Sequence, residues 1–204
     1  MPSDEEATGW FERLYVAAEL GEAEVPWDRG GPNPLLVEWA QRRRPAGGRA
    51  LVIGSGLGDD AEYVAGLGFE TTAFDISETA IATTRRRFPA SSVTYRVADL
   101  LDLPAEWREA FDLVVESITV QSLPPRLHGE AIGEVIGTVA PGGTLLVISA
   151  ARAENEPVDG PPWPLEPSEI AQFTDALQTV RFEDLRDAQD PFYRRWRVEL
   201  QRPA

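Results

Sequence analysis

The residues best suited to do chemistry begin with a glycine-rich loop, Gly54-Ser55-Gly56-Leu57-Gly58, followed at once by Asp59 and Asp60. The loop closes a short apolar run, Ala50-Leu51-Val52-Ile53. Glycines at such a point let the backbone turn sharply and approach a ligand closely. About 20 residues further on, a second run, Thr71 to Asp75, ends in a carboxylate, and at that spacing a carboxylate accepts hydrogen bonds from ribose hydroxyls. Loop and acid together point to an adenosine-containing ligand.

Asp59 and Asp60 narrow the choice. A dinucleotide fingerprint wants glycine or alanine at position 59 and sets a pyrophosphate on the following helix N-terminus. Two carboxylates there repel a pyrophosphate at close range. S-adenosylmethionine has no phosphate, and its sulfonium and amino-acid end tolerate acidic surroundings. Other candidates lie further along the chain. Glu116 closes the apolar run Phe111 to Glu116, at the mouth of a buried strand. His128, the one histidine, sits early in an expected helix. It reads either as a base or as an ordinary half-buried side chain. Trp10 and Tyr15 lie at helical spacing with Phe11 and Leu14 and read as core.

Composition removes much other chemistry. The chain has 204 residues and no cysteine, so disulfides, thiolate metal sites and cysteine nucleophiles are excluded. Every basic residue is arginine, which excludes Schiff-base lysines and the phosphate-loop lysine. With a single histidine no multi-histidine metal centre forms, and no metal is expected. A net charge of -15 opposes nucleic-acid binding. No apolar run nears the roughly 20 residues of a membrane span, and the acidic start MPSDEEATGW is unlike a signal peptide. The expectation is a soluble, cytoplasmic monomer or homodimer whose partner is a small molecule, neither a nucleic acid nor a membrane. A cofactor is expected to supply the chemistry.

The elements that must position these residues alternate. A helix is expected from Asp4 to about Leu20, then a Gly/Pro-rich loop from Val25 to Pro32. Asn33 caps, and Pro34 opens, a helix to about Arg44. Strands follow at 50–53, 71–75, 93–97, 111–116 and 144–149, separated by helices at 59–67, 77–87 and 124–139. Pro141-Gly142-Gly143 is read as a turn before the fifth strand. The arginine runs at 42–44 and 85–87 fall at helix C-termini, where the dipole favours them. The tail holds one helix and two strands, 180–185 and 196–200, close enough to pair antiparallel. The expected fold is α/β, a doubly wound Rossmann-like sheet with helices on both faces.

The sequence resembles the class I S-adenosylmethionine-dependent methyltransferases, and within them the thiopurine S-methyltransferase-like group of halide, thiol and heterocyclic-toxin methyltransferases. The resemblance rests on PWDRGGPNP, ALVIGSGLGDDA, TAFDIS, VADLLDLP, FDLVVESITVQSLPP and APGGTLLVI. It implies a seven-stranded sheet, mostly parallel with an antiparallel C-terminal strand, in a single domain over 1–204. Residues 1–45 would form a helical cap over the cofactor site and 46–204 the Rossmann-like core. It further implies that Gly54, Ser55, Gly56 and Gly58 underlie the methionine moiety. Asp75 would hold ribose, Ile76 would lie against adenine, and Asp99 with Leu100 would meet the adenine edge. Trp27 would cover the cofactor, and Glu116 would stand beside the reacting centre. Two positions depart from the pattern. Val52 replaces the acidic residue often found two places before the first glycine, and Ser117 stands where thiopurine enzymes tend to carry a basic residue.

Methyl transfer from a sulfonium needs alignment and exclusion of water more than acid–base help. Halide and thiolate acceptors need no base, whereas phenols and alcohols do, with Glu116 and His128 as candidates. The acceptor is expected against the PWD loop, residues 117–124 and residues 151–167, with Trp163 as a lid. A non-catalytic S-adenosylmethionine-binding protein and a nicotinamide oxidoreductase are the rival readings.

Overall fold

A computed structural model describes residues 4–43, 47–186 and 194–204. The chain forms two compact units, Met1–Asp102 and Leu103–Ala204. In the first, helices α1 (Asp4–Glu19) and α2 (Pro34–Arg43) precede strand β1 (Gly48–Ile53), α3 (Asp59–Gly66), β2 (Phe69–Asp75), α4 (Glu78–Arg87) and β3 (Thr94–Val97). Strand β2 runs parallel to both β1 and β3. The caps sit where the side chains call for them. Asn33 accepts from the Leu35 N–H at 3.0 Å ahead of α2, and Ser77 Oγ accepts from the Ala80 N–H at 3.0 Å ahead of α4. Gly68, with φ +96°, ends α3 as a C′ glycine. The expected end of the second helix, Arg44, lies outside the described residues. Leu36, Leu51, Ile53, Phe74 and Ile81 form the buried centre of this unit.

The second unit holds β4 (Phe111–Ser117), α5 (Pro125–Thr138), β5 (Val139–Ala150), α6 (Pro167–Ala176), β6 (Gln178–Arg186) and β7 (Arg194–Gln201). Strands β4 and β5 are parallel, and β7 lies antiparallel to both β5 and β6. The seven strands follow the order β3-β2-β1-β4-β5-β7-β6. One expectation is corrected. Pro141-Gly142-Gly143 does not separate a helix from a strand, because β5 already starts at Val139 and runs through it. Val139 pairs with Phe111 and Thr144 with Leu113, so the intervening residues bulge out of the ladder. The bulge stays inside hydrogen-bonded structure because the Gly142 N–H donates to Arg202 O and the Arg202 N–H to Gly143 O, both at 3.0 Å. Among the described residues, no helix is long and apolar enough to cross a membrane.

Candidate functional site

In the first unit the glycine loop is held from both sides. The Ser55 N–H donates to Phe74 O at 2.8 Å, tying the loop to β2. The Gly56 N–H donates to Asp75 Oδ2 at 2.9 Å, and the Ser77 N–H to Asp75 Oδ1 at 2.9 Å. Asp75 is only 7% exposed. Burial raises its pKa above the ordinary carboxylate value, against the opposing pull of the Ser77, Gly56 and Ile76 N–H groups. Glycine is required at two loop positions. Gly56 (φ +52°) would bring a Cβ to 2.9 Å from the Tyr15 hydroxyl, and Gly58 (φ +91°) to 2.6 Å from Thr84 Cγ2. Thr84 also donates to Gly56 O at 2.9 Å, so α4 braces the loop from beneath.

An aromatic cluster lies at the loop. Trp27 Nε1 donates to the Tyr15 hydroxyl at 2.8 Å, and the Trp27 ring meets Trp10, Phe11 and Tyr15 edge-on at 5.9–6.2 Å. Helix α1 is latched in place by Glu12, which accepts from Ser77 Oγ at 2.6 Å and from Thr79 Oγ1. Tyr15 lies against the loop and Glu12 ties α1 to Ser77 and Thr79, placements that spacing alone did not reveal. Tyr15 is buried, as core packing requires, yet its hydroxyl reaches Gly56. Glu12 meets partners more than sixty residues away, a contact no local pattern encodes. A cavity of about 390 Å³ opens beside the cluster, lined by Tyr15, Leu57, Thr83 and Asp28 among others.

The remaining expected residues of this unit gather at the ends of β2 and β3. The Ala98 N–H donates to Asp75 O at 3.1 Å, which draws the segment after β3 alongside β2. Asp99 follows, accepting from the Leu101 N–H at 2.9 Å, and Leu100 is buried. Asp59 and Asp60 are not free charges. Arg87 grips Asp59 with two nitrogens at 2.6 and 3.0 Å, and Asp60 accepts from the Asn33 N–H at 2.6 Å. The repulsion expected of this pair toward a pyrophosphate is therefore partly cancelled by Arg87.

Glu116 and His128 belong to the second unit. Glu116 is fully buried at the end of β4. Its Oε1 accepts from the Thr119 N–H at 2.8 Å and the Val120 N–H at 3.0 Å, while Oε2 is buried with no hydrogen-bond partner. Burial pushes its pKa up to about 7, against the two N–H bonds and the His128 charge. Between acid and donors lies Ile118 at φ +67°, a costly conformation for a β-branched residue. His128 is spent on both sides: Nδ1 lies 2.5 Å from Glu169 Oε1 and Nε2 2.8 Å from Leu123 O. Both ring nitrogens are therefore already engaged within the chain. Gln121 joins the segments expected to meet an acceptor. Its Oε1 accepts from the Ala150 N–H and its carbonyl from the Trp163 N–H, each at 2.6 Å.

S-adenosylmethionine suits the residues present. Ser55 Oγ is buried without a partner beside the loop backbone, a polar atom left for a ligand. Asp75 presents a fixed carboxylate at the same loop. The sheet with its glycine loop defines a Rossmann-like, methyltransferase-type nucleotide fold. Residues 50–143 match the methyltransferase domain family. Thiocyanate methyltransferase 1 of Arabidopsis thaliana is 25% identical over 82% of this chain and 72% of its own. A ubiquinone biosynthesis O-methyltransferase of Xanthomonas oryzae is 31% identical over 72% of this chain and 64% of its own. The structure of the N-methyltransferase NodS from Bradyrhizobium japonicum, in complex with S-adenosylhomocysteine, superposes with a TM-score of 0.70. It covers 97% of this chain and 99% of NodS at 22% identity, and shows the shared fold. Family match, relatives and fold agree on an S-adenosylmethionine-dependent methyltransferase, and the chain is similar to the class I enzymes of that kind.

Proposed function

We propose that this methyltransferase acts on a small-molecule nucleophile and holds its cofactor along the glycine loop. The observation that carries the reading is the aromatic cluster of Trp10, Phe11, Tyr15 and Trp27, set directly at Gly56 by the Glu12 latch. A loop capped this closely by its own chain suits a small acceptor rather than a polymer. Gly54, Ser55, Gly56 and Gly58 would receive the methionine end, Asp75 the ribose, and Ile76, Asp99 and Leu100 the adenine. Trp27, on the cap formed by α1 and α2, would cover the cofactor. When bound, S-adenosylmethionine supplies a methyl group already activated on a sulfonium. The chain itself has to bind, orient and exclude water. Of the two expected catalytic residues, we place the role on Glu116 and give His128 a positioning role between Leu123 and Glu169.

Acceptors named for the relatives span an inorganic anion, thiocyanate, and an O-methylated precursor in ubiquinone biosynthesis. Both kinds belong in the test. Calorimetric titration with S-adenosylmethionine, S-adenosylhomocysteine and NAD comes first, with micromolar binding of the two sulfur nucleosides expected. Formation of S-adenosylhomocysteine is then followed with iodide, thiocyanate, thiols, phenols and N-heterocycles. Cofactor binding without turnover of any of these would remove the small-molecule reading.

A further inference from the structure

Most carboxylates near the glycine loop of the first unit are already committed. Asp59 is held by Arg87, and Asp60 accepts from the Asn33 N–H. Glu12 ties α1 to Ser77 and Thr79, and Glu19 meets Thr83 and Arg86. Asp75 has one oxygen on the Gly56 N–H and the other on the Ser77 N–H. Asp28 is different. Its Oδ1 accepts from the Gly30 N–H at 2.9 Å, whereas Oδ2 accepts no hydrogen bond among the described residues. This carboxylate stands at the exposed rim of the cavity of about 390 Å³ in this unit. Tyr15, Val25 and Leu57 line the same cavity, and none of its described lining residues is an arginine.

Tyr15 supplies the second half of the site. It is 3% exposed, and its hydroxyl is set against Gly56. The oxygen accepts from Trp27 Nε1, but its proton has no acceptor among the described residues. A buried donor left so is costly unless a ligand pairs with it. Burial, then the charges of Asp75 and Asp28, raise the Tyr15 pKa against the Trp27 bond, so the hydroxyl keeps its proton. A lone anion accepting that proton would meet Asp75 and Asp28 as like charges. A zwitterion brings its own cation to answer them. We propose that the cavity receives the amino-acid end of the cofactor, its ammonium on Asp28 Oδ2 and its carboxylate on the Tyr15 hydroxyl. The inference rests on the methyl-transfer reading above and names the groups that select the cofactor by this end. The apolar walls of Val25 and Leu57 lower the local dielectric, where charge-assisted hydrogen bonds are stronger.

The test is calorimetric titration with three ligands: S-adenosylhomocysteine, its deaminated analogue, which keeps the carboxylate, and methylthioadenosine, which lacks the amino-acid end. Asp28→Asn still offers an oxygen to the Gly30 N–H. It should bind S-adenosylhomocysteine about 10- to 100-fold more weakly than wild type, and the other two ligands equally well. Tyr15→Phe should weaken S-adenosylhomocysteine and the deaminated analogue by about tenfold, and methylthioadenosine less. A third readout needs no substitution. Wild-type affinity for S-adenosylhomocysteine should fall as pH rises through the ligand's own ammonium pKa, while affinity for the deaminated analogue should not. Equal affinity of Asp28→Asn and wild type for S-adenosylhomocysteine would overturn the inference, as would a loss shared by methylthioadenosine. The same selective loss in Glu24→Gln, with Asp28→Asn unaffected, would overturn it too. Each of these leaves the methyl-transfer reading standing. Failure of wild type to bind any of the three ligands would remove both.

Discussion

Two buried acids close two strands of this protein, and they are used in opposite ways. Asp75, at the end of β2, has both oxygens engaged by N–H groups of its own unit, Gly56 on one side and Ser77 on the other. Glu116, at the end of β4, has one oxygen engaged twice and the other not at all. Both have raised pKa values, and burial is the first cause in each. The difference lies in what the chain has completed. Asp75 shapes the glycine loop before any ligand arrives. Glu116 holds a turn with half of its carboxyl group and leaves the other half unpaired.

The largest effect is expected at Asp75. Asp75→Ala leaves the Gly56 and Ser77 N–H groups buried without acceptors, and on the order of 3–4 kcal/mol of stability should be lost. Thermal or urea denaturation reads this directly. Cofactor affinity, followed by calorimetry, should fall by about 1–3 kcal/mol. Unchanged stability would mean that the carboxylate is not the pin described here.

Glu116 should behave in the reverse sense. Its pKa is about 7 in the folded protein, against an ordinary 4.5, so the native state binds the proton more tightly than the unfolded chain. That contribution is fully present below about 4.5 and is lost as pH rises to 7. Between pH 4 and pH 8 the stability of Glu116→Gln should gain on wild type by about 3 kcal/mol. Parallel denaturation curves for the two proteins across that range would contradict a raised pKa.

Smaller effects sharpen the picture of the first acid's surroundings. Gly58→Ala places a Cβ against Thr84 at φ +91° and should cost about 2 kcal/mol, with a matching fall in melting temperature. Ser77→Ala removes the cap of α4 and the hydrogen bond to Glu12, and should cost about 1 kcal/mol. In that variant, hydrogen exchange in α1 should quicken more than in α3, because the latch on Glu12 is weakened.

Where structure is encoded locally, sequence and fold agree. Val52 and Ile53 run into glycines, Ser77 precedes a helix, and Gly68 follows one; each obeys rules that operate over a few residues. Tyr15 was legible as buried but not as a neighbour of Gly56, since helical spacing tells which face is covered and not what covers it. The pairing of Asp59 with Arg87 was hidden for the same reason, the partners being 28 residues apart. The Pro141-Gly142-Gly143 segment has the composition of a turn, and only its pairing with Arg202 keeps it within a strand.

By itself, then, the sequence determined the alternation of strands and helices, the glycine loop, and the acids at the strand ends. Backbone propensity, caps and hydrophobic runs act through near neighbours and survive without knowledge of the fold. Which side-chain atoms are already engaged was settled by tertiary contacts. His128 has both nitrogens engaged, Asp75 has both oxygens engaged, and Glu116 keeps one oxygen free. Hydrogen-bond satisfaction depends on atoms brought together from distant parts of the chain, and the identity of a residue does not carry that information.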